Sequence, residues 1–216
     1  MNSAPHCSLC AAPDVVDYWR DRRRSYRQCT RCRLVFVPPE HHLAPSAERA
    51  EYDLHQNDPD DPGYRRFLSR LAQPLLERLP MGASGLDFGC GPGPALAGIL
   101  REAGHDVSLF DVFYAPDTSV FQRQYDFVTA TEVVEHLARP GEELARLWSL
   151  LRPGGWLGVM TKLVRDRDAF ADWHYKNDPT HISFFSIATW RWWATQADAA
   201  LSVIGDDVML LQKPRG

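Results

Sequence analysis

The sequence predicts an α/β fold, a mostly parallel sheet covered by helices, preceded by a small metal-held module. Three observations carry this. From residue 82 onward, strand-like hydrophobic runs alternate with helix-period segments, the pattern of a parallel sheet with helices on both faces. Leu86-Asp87-Phe88-Gly89-Cys90-Gly91-Pro92-Gly93 reads as a buried strand that ends in a carboxylate and a glycine turn. Near the N-terminus, Cys7-x2-Cys10 and Cys29-x2-Cys32 are separated by 18 residues, the spacing of a tetrahedral metal site.

The metal-held module spans residues 1–40. Each cysteine pair makes a knuckle whose thiolates face one ion, and the spacer is long enough for a β-hairpin that returns the second knuckle to the first. Four thiolates leave no open coordination position, so the zinc expected on Cys7, Cys10, Cys29 and Cys32 is structural. Redox-active pairs or unmetallated thiols are the alternative. Tyr26, Leu34, Val35, Phe36 and Val37 supply the core, and so small a unit depends on its metal. Pro38-Pro39 ends it.

Residues 41–80 form a linker and a helical segment. The stretch from 41 to 63 is polar and acidic, with the turn cluster Asn57-Asp58-Pro59-Asp60-Asp61-Pro62-Gly63; it reads as a linker or a lid. A helix is expected from Tyr64 to Leu79, with Phe67, Leu68, Leu71, Leu75, Leu76 and Leu79 on one face. Pro74 should kink or divide it.

Residues 81–216 form the main domain. The glycine turn leads into a helix from Pro94 to Ala103, then a strand from Val107 to Phe110. Another strand starts at Tyr125, and a helix over 141–151 buries Leu144, Leu147, Trp148 and Leu151. Ser186 caps a helix striped by Ile187, Trp190, Ala194, Ala197 and Leu201. The closing runs, Leu201–Ile204 and Val208–Leu211, flank Gly205-Asp206-Asp207.

The glycine turn lets a ligand approach bare main chain at Gly89, Gly91 and Gly93. Asp111 follows at the end of the next apolar run, where an acid accepts hydrogen bonds from ribose hydroxyls. A dinucleotide site would space its glycines Gly-x-Gly-x-x-Gly to seat a pyrophosphate. Here the spacing is Gly-x-Gly-x-Gly behind Asp87, a carboxylate that repels pyrophosphate and suits an ammonium group. The segment resembles motif I of class I S-adenosylmethionine (SAM) methyltransferases. Tyr125-Asp126-Phe127-Val128-Thr129-Ala130-Thr131-Glu132-Val133-Val134-Glu135-His136-Leu137 is similar to that family's fourth strand and turn. Leu150-Leu151-Arg152-Pro153-Gly154-Gly155-Trp156-Leu157 is similar to its turn into the fifth strand.

The resemblance spans residues 82–161 and implies a Rossmann-like sheet with an antiparallel last strand and SAM as cofactor. It implies that Asp87, Gly89, Gly91 and Gly93 line SAM, with Asp111 on the ribose. Cys90 is read as a small pocket-lining residue and Glu132 as lining the pocket beside the methyl. His136 is read as structural or supporting. Only 13 residues separate Asp111 from Tyr125, where the family places a helix and its third strand. That helix should be lost or vestigial and the strand short or missing. Phe113 or Tyr114 could stack on adenine, or could be core.

The acceptor side points to Trp173-His174-Tyr175-Lys176-Asn177-Asp178-Pro179-Thr180-His181-Ile182-Ser183-Phe184-Phe185, a loop after the fifth strand. It therefore lies at the carboxyl edge, where ligands bind. His181, and after it His174, are the candidate bases; hydrogen bonding of His181 to main chain alone is the alternative.

The net charge of −4 selects no partner class. No apolar run reaches 18 residues, so no membrane span is expected, and with no signal-like apolar stretch at the N-terminus a cytoplasmic location is expected. Seven arginines crowd the cysteine module, while the rest of the chain carries 17 basic and 24 acidic residues. The arginines could grip RNA phosphates or dock on the chain's own acidic remainder. The acceptor expected is a small molecule, a sugar or secondary metabolite. An RNA methyltransferase and a non-catalytic SAM-fold binding module are the alternatives.

Overall fold

The computed structural model describes residues 6–54 and 58–216. Asn57 of the expected turn cluster, and residues 1–5 of the cysteine module, lie outside the described residues. Two sheets organise the chain. The smaller is antiparallel, with strand order β1 (Val15–Arg20), β2 (Ser25–Cys29), β3 (Val35–Phe36) and β8 (Ser183–Phe184). The larger runs β5 (Asp106–Phe110), β4 (Ser84–Phe88), β6 (Tyr125–Thr131), β7 (Leu151–Met160), β10 (Val208–Gln212), β9 (Ala200–Ile204). Pairing is parallel from β5 through β7, and β10 is antiparallel to both neighbours. This is the Rossmann-like sheet expected, without a strand outside β5 among the described residues. The 13-residue gap holds a tight turn closed by an Asp111–Ala115 bridge and a 3-10 turn, Thr118–Gln122.

The hairpin β1–β2 is the cysteine spacer. Tyr26, Leu34, Val35, Phe36 and Val37 are all buried. The module does not stand apart. Its β3 pairs with β8 from the far end of the sequence, Val35 opposite Phe184 and Phe36 opposite Ser183. The first knuckle also meets the helix α4 (Pro140–Ser149), where the Gly141 N–H donates to the Ser8 carbonyl at 3.3 Å.

Several expected element limits need correction. The stretch read as a linker contains a helix, α1 (Pro45–Tyr52), opened by Pro45 at its first position. The next helix, α2 (Pro62–Leu76), is capped by Asp61, whose carboxylate accepts from the Tyr64 N–H at 2.6 Å. Pro74 lies inside this helix and does not divide it; its missing N–H falls within the last turn, and the helix ends two residues later. Leu151 begins β7 and is not part of α4. The helix after Ser186 is α6 (Ile187–Gln196), so Ala197 is its C-cap and Leu201 belongs to β9. The expected Ser186 cap is present, reciprocated by Thr189. The segment expected to be loop over 173–185 contains a 3-10 turn, His174–Asn177, and β8.

The helix α3 (Ala95–Glu102) follows the glycine turn and buries Leu96 and Leu100 with Leu68, Leu71 and Leu75 of α2. On the other face, Leu144 and Leu147 of α4 pack with Trp190 of α6. Phe127, Leu157 and Leu210 are fully buried in the sheet between these layers. The carboxyl ends of β4, β5, β6 and β7 therefore open on one edge, and every candidate chemical residue of the main domain falls there.

Candidate active site

The glycine turn is folded by its neighbours. Gly89 and Cys90 both donate their N–H groups to the Phe110 carbonyl, at 2.7 and 3.1 Å. Gly89 has φ 74° and Gly91 φ 64°, values that favour residues without a Cβ. A Cβ on Gly89 would stand 2.4 Å from Val133 Cγ2, so the turn after β6 also requires glycine here. The Cys90 thiol is half-buried, points to the Gly91 carbonyl at 3.6 Å, and is pushed up to about 12 by burial. It stays a neutral thiol.

Asp111 staples this turn to the next. Its Oδ2 accepts from the Gly91 N–H at 3.1 Å, and its Oδ1 accepts from the Phe113 and Tyr114 N–H groups at 2.8 and 3.1 Å. Asp87 lies below, accepting from the Thr129 hydroxyl of the neighbouring strand at 2.8 Å. Burial raises its pKa to about 6, against the lowering effect of that hydroxyl. The helix α1 lies across this edge. Asp53, its C-cap, accepts from the Tyr114 hydroxyl at 2.6 Å, and the Tyr52 ring packs on Phe113 and His136 at 5.7 and 5.1 Å. Tyr114 is thereby held against α1, and Phe113 lies beneath Tyr52.

The second half of the edge is anionic. Glu132 turns the chain after β6 at φ 53°, an uncommon value for a side-chain-bearing residue. Its N–H donates to the Met160 carbonyl at 2.8 Å. Glu135 is fully buried one turn on. The Tyr175 hydroxyl stands between them, donating to Glu135 Oε1 and lying 3.3 Å from Glu132 Oε2. One oxygen of each carboxylate, Glu132 Oε1 and Glu135 Oε2, is buried with no hydrogen-bond partner. Burial lifts Glu132 to about 7, opposed by the Lys162 charge, and lifts Glu135 to about 8 with help from the Glu132 charge. Lys162 follows β7, with its Nζ 5.3 Å from the Tyr175 ring centre and 3.1 Å from His174 Nε2.

His181 is buried against the Tyr175 ring, 4.1 Å between centres, and against His136 at 4.6 Å. Its Nδ1 lies 2.7 Å from the Tyr175 carbonyl. A carbonyl only accepts, so Nδ1 carries a proton, and in the neutral ring Nε2 keeps the lone pair. Nε2 is 3.7 Å from Asp178. His174 is exposed on the outer side of the segment. Sequence reasoning gave no role of their own to Glu135, Tyr175 or Lys162. The signal for Lys162 was its place two residues beyond β7, at the carboxyl edge of the sheet.

The cysteine cluster is equally compact. Cys7 and Cys32 sulfurs are 3.4 Å apart and Cys10 and Cys29 sulfurs 3.5 Å apart, with all four sulfurs within 4.8 Å of one another. These separations are far beyond a disulfide bond and near the edge of a thiolate tetrahedron.

The Methyltransferase domain family profile matches residues 62–202, nearly two thirds of the chain. The chain belongs to this methyltransferase family. No curated protein sequence matches it. Solved structures share the methyltransferase fold. The 1,6-didemethyltoxoflavin-N1-methyltransferase of Burkholderia thailandensis, solved with 1,6-didemethyltoxoflavin and S-adenosylhomocysteine, aligns at TM-score 0.57 and 17% identity. The alignment covers 92% of this chain and 99% of that one. A putative methyltransferase in complex with the Haloferax volcanii Trm112 activator aligns at TM-score 0.51 and 14% identity, over 80% and 99% of the two chains. No helix among the described residues is long and apolar enough to cross a membrane.

Proposed function

We propose that this methyltransferase domain moves the methyl group of SAM to an oxygen of a small-molecule acceptor seated over the ends of β6 and β7. The observation that carries the reading is the juxtaposition of two halves on one sheet edge. One half is the glycine turn with Asp87 and Asp111; the other is the buried pair Glu132 and Glu135 bridged by Tyr175. The first suits a nucleoside with an ammonium group. The bound S-adenosylhomocysteine of the toxoflavin enzyme supports SAM as the donor, and its ligand supports a small acceptor.

Asp111 retains acceptor capacity beyond its three main-chain amides and takes the ribose hydroxyls. Asp87 draws the ammonium toward the strand end, and Cys90 lines the pocket as a neutral thiol. Glu132, with one unpartnered oxygen, takes the acceptor proton. In the transfer, the acceptor oxygen forms a bond to the methyl carbon, the carbon–sulfur bond breaks, and its electron pair returns to sulfur. Holding the two reactants in line supplies roughly 7–11 kcal/mol of such a barrier.

Structural zinc on Cys7, Cys10, Cys29 and Cys32 completes the reading. The sulfur geometry supports it, and the module's contacts give it a task. Arg23 donates to the Asn177 carbonyl at 3.0 Å, and Arg24 donates to the carbonyls of Lys176, Asp178 and Pro179 at 2.6, 2.8 and 3.1 Å. The arginines thus grip the segment that carries Tyr175 and His181. That engagement favours internal docking over an RNA grip. Incubation with methyl-labelled SAM and fractionated lysate tests the whole reading. Label should enter the small-molecule fraction; label confined to RNA would replace the acceptor class, and no binding of SAM would leave a non-catalytic module.

A further inference from the structure

Resting on the methyl-transfer reading above, we propose that Glu135, His136 and His181 hold a divalent cation beside the methyl-transfer point, where it receives the acceptor oxygen. One ligating atom from each of the three residues lies within 4.8 Å of the other two. Glu135 and His136 come from the 3-10 turn after β6, and His181 comes from the segment ahead of β8. The two are tied by the Ile182 N–H donating to the Glu135 carbonyl at 2.8 Å. Three ligands at about 2.1 Å from one ion stand roughly 3–3.6 Å apart, so a pair at the 4.8 Å limit must close by about an ångström, within reach of side-chain rotation.

Two of the three ligands are prepared for a cation. The Tyr175 carbonyl fixes a His181 proton on Nδ1, so that the neutral ring presents the Nε2 lone pair, the outer-shell arrangement of metal-bound histidines. Glu135 gives one oxygen to the Tyr175 hydroxyl and leaves Oε2 buried and unpartnered. A buried carboxylate oxygen in that state costs stability unless a cation or donor meets it. The His136 and His181 rings already stand edge to face, inclined at 69°. Two imidazoles and a carboxylate suit a first-row divalent ion such as Mn2+, Fe2+ or Zn2+. The site differs in kind from the four-thiolate cluster, which is closed and soft.

Three protein ligands leave open positions for acceptor oxygens and water. An acceptor hydroxyl on the ion yields its proton to Glu132, and the resulting oxygen attacks the methyl carbon as sulfur departs with the bonding pair. His181 then serves as a ligand rather than as the base.

Titration of the full-length, zinc-loaded protein with Mn2+, followed by electron paramagnetic resonance, tests this. S-adenosylhomocysteine binding is measured separately by calorimetry. One Mn2+ should bind; Glu135→Gln and His136→Gln should each weaken it by about tenfold or more, with zinc content and S-adenosylhomocysteine affinity unchanged. His181→Asn should do the same, which guards against one variant failing to fold. A wild-type chain that ignores millimolar Mn2+, or binding untouched by all three substitutions, overturns the proposal. Mn2+ at the trio in a chain that ignores S-adenosylhomocysteine would keep the metal site and remove the methyl-transfer reading, so the two failures are told apart.

Discussion

The Arg24 guanidinium donates to the Asp178 carbonyl at 2.8 Å. This bond ties the second strand region of the cysteine module to a loop more than 150 residues later. The same guanidinium reaches the Lys176 and Pro179 carbonyls, and its Nε donates to the Tyr26 hydroxyl at 3.0 Å. Arg24 is a positioning residue for Tyr175 and His181. Arg24→Met should strip the Asp178 and Pro179 carbonyls of this donor, leave Lys176 only the longer bond from the Tyr26 hydroxyl at 3.4 Å, and lower unfolding stability by roughly 2–4 kcal/mol. Turnover should fall about tenfold or more while SAM affinity holds. Arg24→Lys should restore part of the turnover, which a merely structural loss would not predict. Equal turnover in all three proteins would retire the positioning role.

Gly141 binds the module from the other side. A Cβ there would stand 2.3 Å from the Leu9 carbonyl oxygen, which is main chain and cannot step aside. Gly141→Ala should therefore push α4 off the first knuckle and lower stability by roughly 1–3 kcal/mol. Metal analysis should show faster zinc loss to a chelator. Zinc loss in the unsubstituted protein should in turn raise hydrogen exchange at Val37, whose N–H donates to the Ile182 carbonyl at 2.8 Å, and at β8. Unchanged exchange there after chelation would show that the two sheets are energetically independent.

Asp87 sets a pH dependence whose sign follows from burial. Its folded-state pKa, about 6, lies above the ordinary 3.8. Below pH 4 the carboxyl is protonated in both states and adds no difference. As pH rises from 4 to 6 the unfolded chain ionises first, so the folded state loses relative stability, and the loss is complete above about 6. Two units correspond to roughly 3 kcal/mol. Asp87→Asn keeps an acceptor for the Thr129 hydroxyl and cannot ionise. Its stability should gain on the wild type between pH 4 and pH 6 and hold that gain above it. Parallel denaturation profiles across that range would remove the desolvation account.

The strands of the larger sheet were legible in the sequence because buried parallel strands read as apolar runs and the glycine turn marks where the first one ends. The missing outer strand was legible as a simple shortage of residues between Asp111 and Tyr125. The helix α1 was not, because Pro45–Tyr52 buries none of its residues and so shows no apolar stripe. Its contacts run through the rim of Tyr52 and through Asp53. Nor was the pairing of β3 with β8. Each contributes two residues to the pair, and nothing local links Val35 to a partner at Phe184. The site divides the same way. Residues at strand ends were found by position, whereas Glu135 and Tyr175 acquire their chemistry from a contact between distant segments.

Asp111 offers the last test. Its carboxylate holds the Gly91, Phe113 and Tyr114 amides, so it shapes the turn that a nucleoside would meet as well as offering lone pairs to ribose. The two roles separate by substitution. Asp111→Asn keeps one carbonyl oxygen for the Phe113 and Tyr114 amides but presents an amide group, itself a donor, toward Gly91 and the ribose. Asp111→Ala removes both roles. SAM affinity should fall by about tenfold in the Asn variant, in line with the loss of a charge-assisted hydrogen bond. It should fall further in the Ala variant, with only a small change in melting temperature because the loop is at the sheet edge. Calorimetric titration with S-adenosylhomocysteine reads both. Wild-type affinity in the Asn variant would mean that Asp111 serves the turn alone and that the ribose is held elsewhere.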